Sequence, residues 1–193
     1  MHSNRHTHRG RVTHVGRPWS ALPAIAVVAG LAVAFASSPV SAAAGGNTGV
    51  GFTAPDISGG SGAVFLTGGG AFNATSGFGH LGGGFECTST VSAGPLAGCM
   101  AGQGVRWDTA SLLRSTPFKC SASDPAGLKT AATTTDTVAL RADFYRAGDG
   151  NNESFTANMI VSDTDIAPDV PGVQNAWVQG VGCGSANVHF SHH

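Results

Sequence analysis

The chain has few charged residues: Asp, Glu, Lys and Arg make up 11% of its 193 residues, against 41% hydrophobic residues. Disordered chains show the opposite balance, so the composition excludes a largely disordered protein. The 29 glycines do not recur at every third position, which excludes collagen. From residue 45 onward, no window has the apolar spacing of an amphipathic helix. These absences predict a folded domain with almost no helix.

The sequence also lacks the short motifs of common enzyme and cofactor sites. It has no GxSxG nucleophile elbow, no HExxH zinc motif, no phosphate-binding loop and no dinucleotide fingerprint. Its four cysteines include no CxxC pair, so neither a zinc ribbon nor a thioredoxin-type redox site is indicated. We therefore expect no cofactor, and the sequence leaves open whether the protein is an enzyme.

Residues 1–44 have the layout of a Sec-type signal peptide. Four arginines precede an uncharged run of 16 residues, Ala21–Ala36, and a small-residue stretch, Ser37–Ala44, follows. The run is shorter than the ~20 residues that a membrane-spanning helix needs. A signal that is cleaved near Ala44 is therefore favoured over a retained membrane anchor. This predicts a secreted or cell-envelope protein with no membrane span after cleavage.

Cleavage would change the charge balance of the chain. It removes four of the ten basic residues and none of the eleven acidic residues, which leaves a formal charge of −5. Nucleic acids and anionic lipids require a basic surface, so neither is an expected partner. The expected partner is a small molecule or an extracellular protein, and the sequence leaves its identity and the oligomeric state open.

The four cysteines, Cys87, Cys99, Cys120 and Cys183, all follow the predicted signal. An even number of cysteines in an exported chain indicates two disulfides, for which three pairings exist. We favour Cys87–Cys99 together with Cys120–Cys183. Cys87 ends a predicted strand, and the loop that contains Gly94-Pro95 can return to Cys99.

The mature chain has the length of one domain. The segment 45–62 is rich in Gly, Ser, Thr and Asn, and we predict a flexible leader with a short edge strand at Val50–Thr53. A single β domain follows over 63–193. Within it we expect a short strand at 63–67, and one helical turn at Asp108–Leu113 that Asp108 or Thr109 could cap.

The clearest structural pattern is alternation of apolar and polar residues. It runs through Thr137–Tyr145 and returns from Phe155 to Val161, with turn residues 147–152 between the two. Period-two alternation predicts an antiparallel hairpin with one buried face. Seven to nine such short strands with Gly-rich turns predict an all-β fold. We expect a small antiparallel barrel, with a β-sandwich as the alternative.

A binding site is indicated only by aromatic and polar residues. Trp107 and Trp177 could line a cavity, although ordinary core packing is the competing interpretation. Asn175 and Gln179 alternate with Trp177 and so share its face, as in a binding groove. His80 is the one histidine of the mature chain away from its C-terminus, and it could act as a general base or sit half-exposed on a strand.

Two clusters carry metal-ligand chemistry without a recognised spacing, and we predict no metal site from them. The C-terminal imidazoles could bind zinc, copper or nickel, or be solvated at a mobile end. The aspartates could bind calcium, or form an ordinary turn. The members of the two clusters are His189, His192, His193, Asp163, Asp165 and Asp169.

The stretch from Gly94 to Cys183 contains GPLAGC, GVRWDT, DFYRAGDGNNESFTANMIV and GVQNAWVQGVGC. In these segments the chain resembles a group of short exported bacterial proteins. The resemblance implies an exported bacterial protein and no particular activity.

Three functional hypotheses follow. The leading one is a secreted, disulfide-stabilised β-domain that binds a ligand or partner. The second is a cell-envelope or extracellular structural protein without a pocket, which the Gly-rich, low-charge composition favours. The third is a secreted hydrolase or isomerase, which would require His80 to lie beside a carboxylate.

Overall fold

The structure is a computed structural model that describes residues 45–121, 124, 127–146 and 153–192. The predicted signal, the turn at 147–152 and His193 lie outside the described residues. The described residues contain no helix, and hence none that is long and apolar enough to cross a membrane. The strands are β1 Thr48–Gly59, β2 Ala63–Asn73, β3 Phe78–Ser89, β4 Arg106–Leu113, β5 Ser115–Phe118, β6 Lys129–Ala132, β7 Thr137–Tyr145, β8 Glu153–Ser162, β9 Ala176–Val178 and β10 Gly182–His192.

Eight strands form a closed antiparallel barrel in the order β1-β10-β9-β8-β7-β4-β3-β2. Strand β1 closes it, since β1 pairs with β2 along one edge and with β10 along the other. Closure leaves none of these eight strands with an open edge. An open edge could pair with a strand of another chain, and the closed barrel avoids this. The all-β prediction and the choice of a barrel over a sandwich are therefore confirmed.

Alternation along the strands decides which side chains fill the barrel. In the predicted hairpin of β7 and β8, residues such as Leu140, Phe144 and Met159 are buried in the main core, while Arg141 is exposed. The two strands pair in register from Thr137 opposite Ser162. This hairpin is the part of the fold that the sequence predicts best, because most of its outward positions are polar, with Ala139 and Ile160 as the exceptions.

The predicted flexible leader is wrong for most of its length, because β1 occupies Thr48–Gly59. Val50, Phe52 and Ala54 point into the barrel and are at most 6% exposed. Their outward neighbours include Gly49 and Gly51 rather than charged residues. In this strand, small residues rather than polar residues alternate with the apolar ones. Its composition is therefore similar to that of a flexible segment, although its structure is a strand.

The predicted helical turn at Asp108–Leu113 is also wrong, since these residues belong to β4. Strand β4 pairs with β3 on one side and β7 on the other. Asp108 does not cap a helix but forms an ion pair with Arg106, from Arg106 Nη1 to Asp108 Oδ2 at 3.0 Å. Pairing on both edges overrides the local preference for a turn.

Strands β2 and β3 extend beyond the predicted short strand at 63–67, and a tight turn joins them. The Gly77 amide donates to the Asn73 carbonyl oxygen at 3.0 Å. The Asn73 side-chain Oδ1 accepts from the amides of Thr75 and Ser76 at 3.0 and 2.9 Å. Asn, Thr, Ser and Gly are residues that favour such a turn.

Both predicted disulfides are present, Cys87–Cys99 and Cys120–Cys183. The first joins β3 to the loop that follows it, inside the main core. The second joins the chain just after β5 to β10. The protein is thus a disulfide-stabilised β domain.

Strands β5 and β6 form a separate two-stranded sheet, which we call the cover sheet. It packs on outward-pointing residues of the barrel wall. Ala139, Ile160, Trp177 and Cys183 lie side by side on β7, β8, β9 and β10, each opposite the next in register. They form a second apolar core with Phe118, Cys120, Ala131 and Ala167.

Glycines allow the closest approach of strands β2 and β3. A Cβ added to Gly83 would overlap the Thr67 carbonyl oxygen and the Gly68 Cα, whereas a Cβ added to Gly51 would meet nothing within 4 Å. Gly51 is therefore a matched control for Gly83 within the same barrel.

We expect Gly83→Ala to lower the free energy of unfolding by about 2 kcal/mol, because backbone atoms of β2 would have to move. Gly51→Ala should change it by less than about 0.5 kcal/mol. Urea unfolding of the two variants and the parent measures both values. Equal stability of the two variants would contradict the strand spacing described here.

Candidate functional site

The barrel interior is filled by side chains. Trp107 is 0% exposed, and its ring lies 6.0 Å from that of Phe52 between centroids. Its Nε1–H donates to the Thr67 carbonyl oxygen at 3.0 Å. Phe85 and Phe144 pack edge to face with centroids 4.9 Å apart. An eight-stranded barrel is just wide enough for side chains to fill, so Trp107 is a core residue rather than the lining of a cavity.

Trp177 lies on the opposite side of the wall from this core. Its neighbours Ala176 and Val178 belong to the barrel core, so alternation places Trp177 outside, under the cover sheet. Its Nε1–H donates to the Lys119 carbonyl oxygen at 3.0 Å. Phe118 packs against it edge to face, with centroids 5.9 Å apart. The two tryptophans that the sequence singles out are therefore in different cores.

An open groove of about 790 Å³ runs along the seam between the cover sheet and the barrel wall. We call it the wall groove. One side is formed by Pro117–Ser121 together with Leu128, and the other by the barrel rim. Trp177 lies at its base. The rim residues are Gly59, Gly60, Ser61, Ser92, Gln179, Gly180 and Gly182.

Hydrogen bonds fix the barrel side of the wall groove. The Gly60 amide donates to the Val181 carbonyl oxygen at 2.7 Å, and the Ser61 amide donates to Gly180 O at 3.2 Å. The Ser61 hydroxyl lies 2.7 Å from both Ala93 O and Gly180 O. These bonds thus tie Gly60 and Ser61 to two other parts of the chain, at Ala93 and at Gly180–Val181.

Gln179 and Asn175, predicted to share the face of Trp177, have different roles. Gln179 lines the wall groove, and its Oε1 accepts from the Asn158 amide at 3.1 Å, which leaves its NH2 group directed elsewhere. Asn175 is 5% exposed and bonds both backbone groups of Ala186, so it holds β10 in place. Of the predicted binding residues, the structure brings Trp177 and Gln179 together.

His80 lies on β3 away from the wall groove, exposed to solvent. Within the described ranges, no ion pair includes it. The arrangement that a hydrolase or isomerase would need at His80 is therefore not formed by the residues described.

The acidic and histidine clusters take part in ordinary structural contacts. Asp165 Oδ1 accepts from the amides of Ala167 and Gln174 at 2.9 and 3.3 Å. His192 Nε2 lies 3.4 Å from Asp136 Oδ1 at the surface. His189 and Asp163 are at separate positions, on β10 and after β8. Among the described residues, no three potential ligands come together as a metal site requires.

Charge near the groove comes from the two lysines of the chain. Lys119 is the one charged residue among the described residues that line the groove. Lys129, on the cover sheet, bridges Asp124 Oδ2 at 2.8 Å and Asp169 Oδ2 at 3.0 Å. The hydrogen bond to Asp124, with that to Asp169, raises the pKa of Lys129 above its ordinary 10.5, against the opposing effect of desolvation. This lysine clamp ties the cover sheet to the loop after β8.

Phe118, Lys119 and Leu128 are groove residues that sequence reasoning does not single out. One pattern points to the first of them: Thr116, Phe118 and Cys120 alternate with exposed or half-exposed residues and are all buried. The run is too short to be recognised before the cover sheet is known.

In comparisons with protein-family models, curated proteins and solved structures, nothing matches this chain. The function is therefore argued from the groove itself.

The lysine clamp predicts a pH dependence. A raised pKa in the folded state means that the clamp contributes stability below pH 10.5 and loses it as the pH rises past the folded pKa. Lys129→Met should therefore melt at a lower temperature than the parent at neutral pH, and the gap should narrow in alkaline solution. Thermal melting across that range is the measurement.

Lys119→Met is the matched control, since it removes the only other lysine and leaves the clamp in place. The melting temperature of this variant should decrease in alkaline solution as that of the parent does. A gap between Lys129→Met and the parent that stays constant to high pH would contradict the clamp.

Proposed function

We propose that the protein is a secreted binding module that takes a small molecule into the wall groove. The ligand class is an apolar body that carries an anionic or other hydrogen-bond-accepting group. The proposal rests on the open groove along the seam between the cover sheet and the barrel wall, which Trp177, Phe118, Leu128 and Lys119 line.

The size of the groove favours a small molecule over a protein. About 790 Å³ falls in the range of ligand pockets, roughly 300–1,000 Å³. In the barrel lumen, the described residues Trp107, Phe52, Phe85 and Phe144 pack together as a buried core. A ligand site of this protein therefore belongs outside the barrel.

The lining gives the chemistry of the ligand. Pro117, Phe118, Leu128 and Trp177 supply apolar contact, while backbone glycines leave the opposite side free of bulky side chains. Lys119 and Gln179 also line the groove and carry N–H donors, which favours an acceptor group on the ligand. Mostly apolar walls with a few placed donors are typical of small-molecule sites.

Export is supported by the signal-like residues 1–44 and is compatible with the two disulfides, which persist in oxidising compartments. In this proposal the mature domain is released from the cell or remains with its envelope.

Anilinonaphthalenesulfonate is a suitable probe, since it combines apolar rings with a sulfonate. We expect saturable binding of one dye per protein purified from culture medium. Leu128→Ala should raise the dye Kd about fivefold, or about 1 kcal/mol, because apolar contact is lost. Fluorescence titration measures the Kd.

Val173→Ala is the matched control, because Val173 is also an exposed apolar residue, 53% against 73% for Leu128, and does not line the groove. Its dye affinity should equal that of the parent. Absence of saturable binding, or equal loss in both variants, would contradict the site and favour a structural protein without a pocket.

Lys119→Gln should also weaken binding of the dye, and the effect should shrink at high salt because a partly exposed charge is screened. The expected change at low salt is about fivefold in Kd. An unchanged Kd at both low and high salt would contradict the proposal that the ligand carries an anionic group that Lys119 binds.

A further inference from the structure

The two disulfides have different surroundings. Cys87 and Cys99 are both 0% exposed and are enclosed in the main core. Cys120 and Cys183 retain 4% and 5% exposure and border a second crevice of about 370 Å³. Cys120 also lines the wall groove. The second disulfide is thus the more exposed of the two, and it lies beside two crevices.

The Cys120–Cys183 disulfide lies at the free end of the cover sheet. The sheet joins the barrel at its other end, where β5 begins just after β4 and β6 leads into β7. At that end the Thr133 amide donates to Arg114 O at 2.9 Å, and the Thr133 hydroxyl donates to Leu113 O at 2.6 Å. The cover sheet is thus a flap that is attached at one end and closed by a disulfide at the other.

The disulfide acts together with other contacts of the cover sheet, since Phe118 also packs on Trp177 in the second apolar core. Trp177 donates to Lys119 O, Asn158 Nδ2 donates to Thr116 Oγ1 at 3.1 Å, and Lys129 pairs with Asp169. A two-stranded sheet by itself is only marginally stable in water. The disulfide restricts the open conformations of the flap, which is how a cross-link stabilises the closed state.

We propose that Cys120–Cys183 is a thiol-cleavable clasp that controls the wall groove. Its reduction releases the flap, and with it Pro117–Ser121, which form one side of the groove. The groove then loses its shape, and bound ligand is released. The release of ligand rests on the proposed function of the groove. The opening of the flap on reduction does not depend on that function.

The reductant is a small thiol or a dithiol protein. Its thiolate attacks one cysteine sulfur, the S–S bond breaks, and a mixed disulfide forms while the other cysteine leaves as a thiolate and takes up a proton. A second thiolate of the reductant then attacks the mixed disulfide at the reductant's sulfur. The cysteine is freed as a thiolate that takes up a proton. The protein gains two thiols, and the reductant is oxidised to its disulfide.

The first test is selective reduction of the folded protein. The protein from culture medium is treated with dithiothreitol without denaturant, and free thiols are trapped with iodoacetamide and located by peptide mass mapping. We expect Cys120 and Cys183 to be alkylated at least about tenfold faster than Cys87 and Cys99, because access controls thiol–disulfide exchange. Equal rates, or faster reaction of Cys87 and Cys99, would overturn the proposal.

The second test follows the flap by hydrogen exchange of the same samples. Peptides from β5 and β6 should lose amide protection on reduction, while peptides from β7 and β8 stay protected. The variant Cys120→Ser with Cys183→Ser should show this pattern without reductant and should not respond to it. Retained protection of β5 and β6 after reduction would also overturn the proposal.

Dye binding separates this inference from the proposed function. If the oxidised protein binds the anilinonaphthalenesulfonate probe and the reduced protein does not, the clasp controls the groove. If the oxidised protein binds no dye, the proposed function fails, and the alkylation and exchange results still decide whether the flap opens. Equal dye affinity before and after reduction would contradict control by the clasp.

Discussion

A large apolar side chain that points out of a barrel wall must be covered, and Trp177 imposes this requirement on the rest of the structure. Ile160 and Ala139 extend the apolar surface across the neighbouring strands. The cover sheet meets the requirement with Phe118 and Ala131, and it carries the acceptor for the indole N–H. The lysine clamp and the second disulfide hold the cover in place. The wall groove is the seam that this arrangement leaves along its edge.

In the proposed function, the barrel supplies stability and the seam supplies the binding site. The lumen holds Trp107 and several phenylalanines at full burial, together with one inaccessible disulfide. It therefore serves as a solid scaffold. The seam has exposed apolar surface at Leu128, a cation at Lys119 and, beside it, the disulfide of Cys120. Binding sites are often carried by segments that a rigid scaffold positions, and the cover sheet is such a segment.

Alternation of apolar and polar residues was enough to predict the β7–β8 hairpin, and the spacing of cysteines with one loop was enough to favour the disulfide pairing found. The sequence predicts only the Val50–Thr53 part of strand β1, because glycines such as Gly49 and Gly51 occupy outward positions and give no polar signal. Strand β4 was missed because pairing on both edges decides its conformation, and the partners are distant in sequence.

The site was harder to predict than the fold. Period-two alternation shows that Asn175, Trp177 and Gln179 share one face of a strand. It does not show whether this face points into or out of the barrel, because both faces of the strand carry apolar residues. Trp107 and Trp177 therefore looked equivalent in sequence, although one fills the lumen and the other lies under the cover. Lys119 and Leu128 become groove residues only through the docking of β5 and β6, which local sequence does not encode.

We propose that ligand binds at Trp177 outside the barrel and not at Trp107 inside it. Cleavage of the predicted signal leaves these two tryptophans in the chain. Both indole N–H groups donate to carbonyl oxygens, so each should give a distinct NMR signal. Titration of the isotope-labelled protein with anilinonaphthalenesulfonate is the most direct test. We expect the Trp177 indole signal to shift while the Trp107 indole signal stays in place. A shift of the Trp107 signal alone, or of neither signal, would contradict binding at Trp177.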